Sequence, residues 1–178
     1  MKKLTLLLAV AATMISCSKS SSKPNTPQTP GTEVPQELRG DWMFGKFSMT
    51  EYWSQDPDEY LGNGVEFAFA FTFNADGTYT QYFTSSTVTA GVVTYQQSVS
   101  KGTVEVNSTS KTIITHVSEA HYRRTANGHV VEERDLDKDE LSGPTSYTYA
   151  RGTEPNGTEA LYLTLQGTTQ PLTFLKLE

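Results

Sequence analysis

The chain of 178 residues carries 20 acidic and 14 basic side chains, one cysteine and a net charge of −6. A single cysteine rules out an internal disulfide and a thiolate zinc site, and the acidic balance lacks the basic footprint that nucleic acid requires. Aromatic residues at 11%, with abundant Ser and Thr, favour strands over helices.

Residues 1–16 read as a leader. Lys2 and Lys3 form a positive n-region, Leu4 to Met14 is apolar apart from threonines, and small Ser16 precedes Cys17. The apolar run is shorter than the roughly 20 residues that a membrane-spanning helix needs, so a signal peptide is expected. The segment resembles a bacterial lipoprotein signal, whose lipobox ends in a cysteine after a small residue. That resemblance implies that Cys17 is acylated on sulfur and becomes the mature N-terminus. Each buried methylene contributes about 0.8 kcal/mol, and stable anchoring needs more than one chain.

Residues 17–37 comprise this cysteine and a tether rich in Ser, Pro and Thr, with Pro24, Pro27, Pro30 and Pro35 stiffening it. Its apolar content is too low to offset the entropy of ordering. At about 3.1 Å per residue it would hold a domain up to roughly 60 Å from the lipid. Ser18, rather than Asp, after the cysteine favours the outer membrane, by analogy with sorting in enteric bacteria. No acidic cluster follows Cys17, so the periplasmic face is expected over the cell surface.

One folded domain is expected over residues 38–178. Its pattern has period two, with turn residues between the runs. The clearest strand is Val65–Phe73, with Val65, Phe67, Phe69, Phe71 and Phe73 on one face and Glu66, Ala68, Ala70 and Thr72 on the other. Asn74-Ala75-Asp76-Gly77 supplies a turn, and Thr78–Val88 returns with Tyr79, Gln81 and Phe83 on one face. Further strands are expected over 41–49, 92–99, 103–106, 112–124, 146–151, 159–166 and 172–177. Residues 129–143 read either as a strand at Val130 and Val131 or as a solvated loop. A short helical turn is expected within 56–61, opened by Pro57.

Eight to ten short antiparallel strands fit an all-β fold, either an up-and-down β-barrel or a β-sandwich. Few long crossovers interrupt the alternation of strand and turn, which favours the barrel, and closure also removes edge strands.

Leu38-Arg39-Gly40-Asp41-Trp42 resembles the Gly-x-Trp opening of lipocalin-type barrels. Together with Phe71–Tyr79, Leu161–Leu165 and Leu172–Leu177, it makes the chain similar to the lipocalin-like lipoproteins of the Gram-negative envelope. The resemblance implies that Trp42 plugs the closed end of the barrel. Lys176 or Arg151 would pack across it, a cation–π contact worth about 0.5–1 kcal/mol where exposed.

Candidate chemistry is sparse. His116 and His121 differ by an odd number, so an unbroken strand would point them to opposite faces. Glu119 and His121 share a face, but a zinc site needs three or four ligands. With His129 they read as solvated or hydrogen-bonded, and no metal is expected. Asp135-Leu136-Asp137-Lys138-Asp139 resembles the start of a calcium loop, yet Glu140 and Ser146 stand where Gly and Glu belong. No Gly-x-Ser-x-Gly, Walker or dinucleotide motif occurs, so neither enzymatic activity nor a cofactor is expected.

The expected function is non-enzymatic binding of a small apolar or amphipathic ligand. Phe69, Phe71, Tyr95 and Tyr147 would line the cavity, with Trp53 and Tyr60 at its rim. The alternative is a solid barrel that uses the aromatic segment 51–64 to bind an envelope protein or a glycan.

Overall fold

The computed structural model describes residues 31–54 and 67–177. Cys17, Tyr60 and the helical turn expected within 56–61 lie outside the described residues. Among the described residues there are nine strands: β1 (Gly40–Phe44), β2 (Phe67–Phe73), β3 (Thr78–Thr89), β4 (Val92–Asn107), β5 (Thr112–Ala126), β6 (His129–Asp135), β7 (Thr145–Thr153), β8 (Glu159–Leu165) and β9 (Leu172–Lys176). They form one antiparallel sheet in the order β4-β3-β2-β1-β9-β8-β7-β5-β6, and β4 also pairs with β5. That last pairing closes the sheet into a barrel-like ring, so the described residues make one closed sheet and not two stacked ones.

Strands β6 and β7 share an edge of β5. β6 pairs with His121–Ala126 and β7 with Thr112–Thr115, both antiparallel. Leu136 still donates its amide to the Ala120 carbonyl at 2.9 Å. Residues 137–144 then leave the ladder before Thr145 rejoins it opposite Thr115. The two strands therefore act as one interrupted strand, and residues 137–144 form an excursion from the barrel wall.

The period-two pattern explains the interior. Trp42, Phe71, Phe73, Tyr79, Val104, Ile113, Leu161, Leu163 and Phe174 form one buried cluster. Fully burying such a side chain contributes about 1.5–3 kcal/mol. The base of the barrel is the end with the turns at 74–77, 107–112 and 154–158. It is closed by Val34, Leu38 and a 3₁₀ turn, Gln36–Leu38. Residues 31–37, expected to be tether, belong to this base. The Thr32 amide donates to Val104 O at 2.9 Å, the Val34 amide to Ala75 O at 3.3 Å, and Val34 is fully buried. Isolated apolar Val34 sits in a polar stretch, and nothing local signals that Val104 and Ala75 are there to receive it.

Trp42 occupies the same end. Its indole N–H donates to Leu38 O at 2.7 Å. Arg151 and Lys176 both lie over its ring, 4.5 and 4.4 Å from the ring centroid. Lys176 also donates to the Arg39 carbonyl. Gly40 has φ +93°, and a Cβ there would stand 2.7 Å from the Lys176 ammonium.

The largest departures from the expected strands are in β1 and β4. Strand β1 ends at Phe44, not Met49, because Gly45 (φ +82°) turns the chain away. The following residues cross the outer face, where Met43, Phe47, Tyr52, Ala68, Ala70 and Tyr95 form a second buried cluster. Residues 100–102, expected to separate the strands at 92–99 and 103–106, lie inside continuous β4. There Gly102 faces the neighbouring strand so closely that a Cβ would come within 1.9 Å of His116 O.

Candidate functional site

Opposite the base, the mouth end of the interior holds two compartments on either side of Phe69. The first, about 270 Å³, is lined by Phe69, Phe71, Tyr147, Leu163, Leu165, Leu172 and Phe174, with Thr168 and Gln170 at its margin. The second, about 330 Å³, is lined by Phe69, Gln81, Phe83, Ser98, Ser100, Val117, Ala120, Leu136, Glu140, Leu141 and Ser142.

Register explains both linings. Phe71 stands opposite Gln81 and Phe69 opposite Phe83 across β2–β3. Ser100 and Ser98 continue the same rows on β4, so large aromatics on β2 face small polar residues on β4 and leave space between them. On the other side β8 and β9 bring leucines to the same level. Tyr147 bears on Phe71 edge-on at 6.0 Å, and burial raises its phenol pKa.

The excursion 137–144 walls the second compartment, held by an ion network. Arg134 grips both Glu140 oxygens at 2.6 and 2.7 Å and reaches Glu132 at 3.0 Å. Glu132 also meets Arg124 at 3.3 Å. The Asp137 amide donates to Glu140 at 2.9 Å. Arg134 first, then this amide, holds the Glu140 carboxyl at a pKa of about 2.

A third concavity, about 940 Å³, lies outside the barrel wall between residues 49–54 and the excursion. Trp53 lies there, edge-on to Tyr52 at 4.8 Å and to His121 at 5.0 Å. Its carbonyl accepts a hydrogen bond from Arg123. His121 meets Asp135 at 2.8 Å and Glu133 at 3.6 Å.

Phe69, Phe71 and Tyr147 are therefore brought together, whereas Tyr95, expected in the lining, and Trp53, expected at the rim, are not with them. Tyr95 is buried on the outer face, in the cluster with Met43 and Tyr52, because odd-numbered positions of β4 in this stretch point outward with Gln97 and Val99. Trp53 stands over β5 on that outer face instead of at the barrel rim. Tyr60 lies outside the described residues. Alternation puts Gln81 on the Phe83 face, but nothing in the sequence marks Ser98, Ser100 or Glu140 as interior.

His116 and His121 fall on one face, contrary to simple alternation. Gly102 pairs with Val117 and Lys101 with Glu119, so Ser118 is an extra residue in β5 that resets the parity. The two remain separately engaged, since His116 meets Glu105 at 2.7 Å. Among the described residues no group of three or more His, Cys, Asp or Glu is arranged to hold a metal ion.

No family model, curated protein or solved structure matches the chain.

Proposed function

We propose that this chain is a lipid-anchored envelope protein with a lipocalin-like barrel that binds one small apolar or amphipathic molecule at its mouth end, without catalysis. The observation that carries the reading is the pair of compartments, about 270 and 330 Å³, flanking Phe69. Sites for small ligands are typically apolar clefts of this order, roughly 300–1,000 Å³, with few polar groups. Titration with the uncharged dye Nile red tests it. Saturable binding is expected. Leu165→Asp, an exposed lining position, is expected to weaken it about tenfold by charging the apolar rim. Absence of saturable binding to the native protein overturns the reading.

The address is part of the proposal: Cys17 carries the lipid, and the barrel faces the periplasm from the outer membrane. Cys17→Ser is expected to move the protein from the membrane pellet to the soluble fraction. A second reading, a protein partner or a glycan, draws on the outer concavity beside Trp53. Pull-down from membranes with Trp53→Ala, and retardation on polysaccharide gels, separate these two from the interior site.

A further inference from the structure

We infer that the mouth site selects amphiphiles whose head group is uncharged and bears hydroxyl or amide groups, in preference to fatty acids, phosphates or cationic amphiphiles. The inference rests on the binding reading above and specifies its ligand. The two compartments differ in chemistry. The one beside Leu163, Leu165 and Leu172 is apolar almost throughout, and the other presents Gln81, Ser98 and Ser100. A molecule lying across Phe69 has its apolar part in the first and its polar part in the second.

The charge of that polar part follows from the cations. No Lys, Arg or His lines either compartment among the described residues. Arg151 and Lys176 are inside the barrel but sit on Trp42 at the base. Lys101, Arg123 and Lys138 line the concavity outside the wall. Arg134 is committed to Glu140 and Glu132. Residues 55–66, Gln-Asp-Pro-Asp-Glu-Tyr-Leu-Gly-Asn-Gly-Val-Glu, contain no basic residue to bring to the site. A buried anion without a partner is strongly disfavoured.

A cation fares little better. Glu140 is the one charged side chain lining either compartment among the described residues. Arg134 takes both of its oxygens, and the Asp137 amide adds a third bond. By contrast, Gln81, Ser98 and Ser100 offer donors and acceptors in one place, the set that hydroxyl or amide groups match.

Competition against bound Nile red tests this, using monodecanoylglycerol, decanoate and decyltrimethylammonium below their micelle concentrations. All three carry the same type of apolar chain. Monodecanoylglycerol is expected to displace the dye at concentrations at least about tenfold lower than either ion, because only the ions must shed their hydration unpaired. Gln81→Leu is expected to erase most of that preference, read as the ratio between the competitors so that any change in dye affinity cancels. Should it not fold, Ser100→Ala gives the same readout with a smaller change. Lowering the pH through the carboxylate range should bring decanoic acid towards the glycerol ester as it becomes neutral. Equal displacement by decanoate or decyltrimethylammonium at neutral pH overturns the inference and leaves the binding reading standing. Failure of the dye to bind overturns the binding reading, and this inference with it.

Discussion

The Tyr52 hydroxyl accepts the Ser98 amide proton at 3.0 Å, which joins a segment crossing the outside of the barrel to the backbone of β4. The same oxygen also reaches the carbonyls of Ser98 and Phe83. Gln97 returns a hydrogen bond to the Tyr52 carbonyl. Tyr52→Phe keeps the ring and the Gln97 bond to the main chain and removes the hydroxyl's bonds to Ser98 and Phe83. It is expected to cost about 1–3 kcal/mol, the penalty for leaving buried backbone groups unpaired. Urea denaturation of the two proteins measures it, and coincident midpoints would refute the role.

Burial raises the Tyr79 phenol to a pKa of about 12, and that of Tyr52 further still. In the unfolded chain both phenols ionise near pH 10. Between about pH 10 and 12 the unfolded state therefore binds fewer protons, and stability falls as pH rises by about 1.4 kcal/mol per pH unit for each such group. The expected outcome is alkaline unfolding that begins above about pH 10. Replacing Tyr79 with Phe should reduce the slope by roughly one group. An identical slope in the variant would exclude Tyr79 as a source.

Gly40→Ala forces a side chain into positive φ and into the Lys176 ammonium, 2.7 Å from the new Cβ. Lys176 can move, but only by leaving Trp42 and the Arg39 carbonyl. A loss of about 1–3 kcal/mol is expected from the strained backbone and the displaced cation. Thermal melting gives the loss. Trp42 emission, read in a Trp53→Phe background, should change with it; an unshifted spectrum would mean that the cation stays in place.

At the excursion the sign reverses. The Glu140 carboxyl is held down from 4.5 to about 2 by Arg134 and the Asp137 amide. The stability it contributes is complete above its unfolded pKa and disappears as pH falls through about 2. The excursion is expected to loosen only in strong acid. Carboxyl carbon NMR of Glu140 should titrate well below the surface glutamates, and Arg134→Met should bring it back to the ordinary range.

Much of the barrel was legible because its strands have one wet face and one dry one. Phe67–Phe73 announces its inner face, and Asn74–Gly77 its turn. β6 was ambiguous because it extends from the ring with its residues mostly exposed, so the alternation that marks a half-buried strand is missing. Gly102 misled for a different reason: it is a glycine of close approach inside a strand, and a sequence cannot distinguish that from a turn. Tyr95 was misplaced because the outer face of β2–β4 is buried too, under residues 46–54, so an aromatic there is no guide to the interior. The polar side of the candidate site was hidden in common serines, which acquire meaning only from the phenylalanines opposite.

The base closure settles how the barrel would carry load. Thr32 is tied to β4 twice, its amide to Val104 O and its hydroxyl accepting the Val106 amide at 2.7 Å. Arg39 braces the same stretch through Val34 O at 2.8 Å and Glu33 at 3.0 Å. A pull that reaches Gly31 loads these bonds, at the end away from Phe69. Tension would be spent in shearing a short clamp against β4, and the mouth would keep its shape until that clamp gave way.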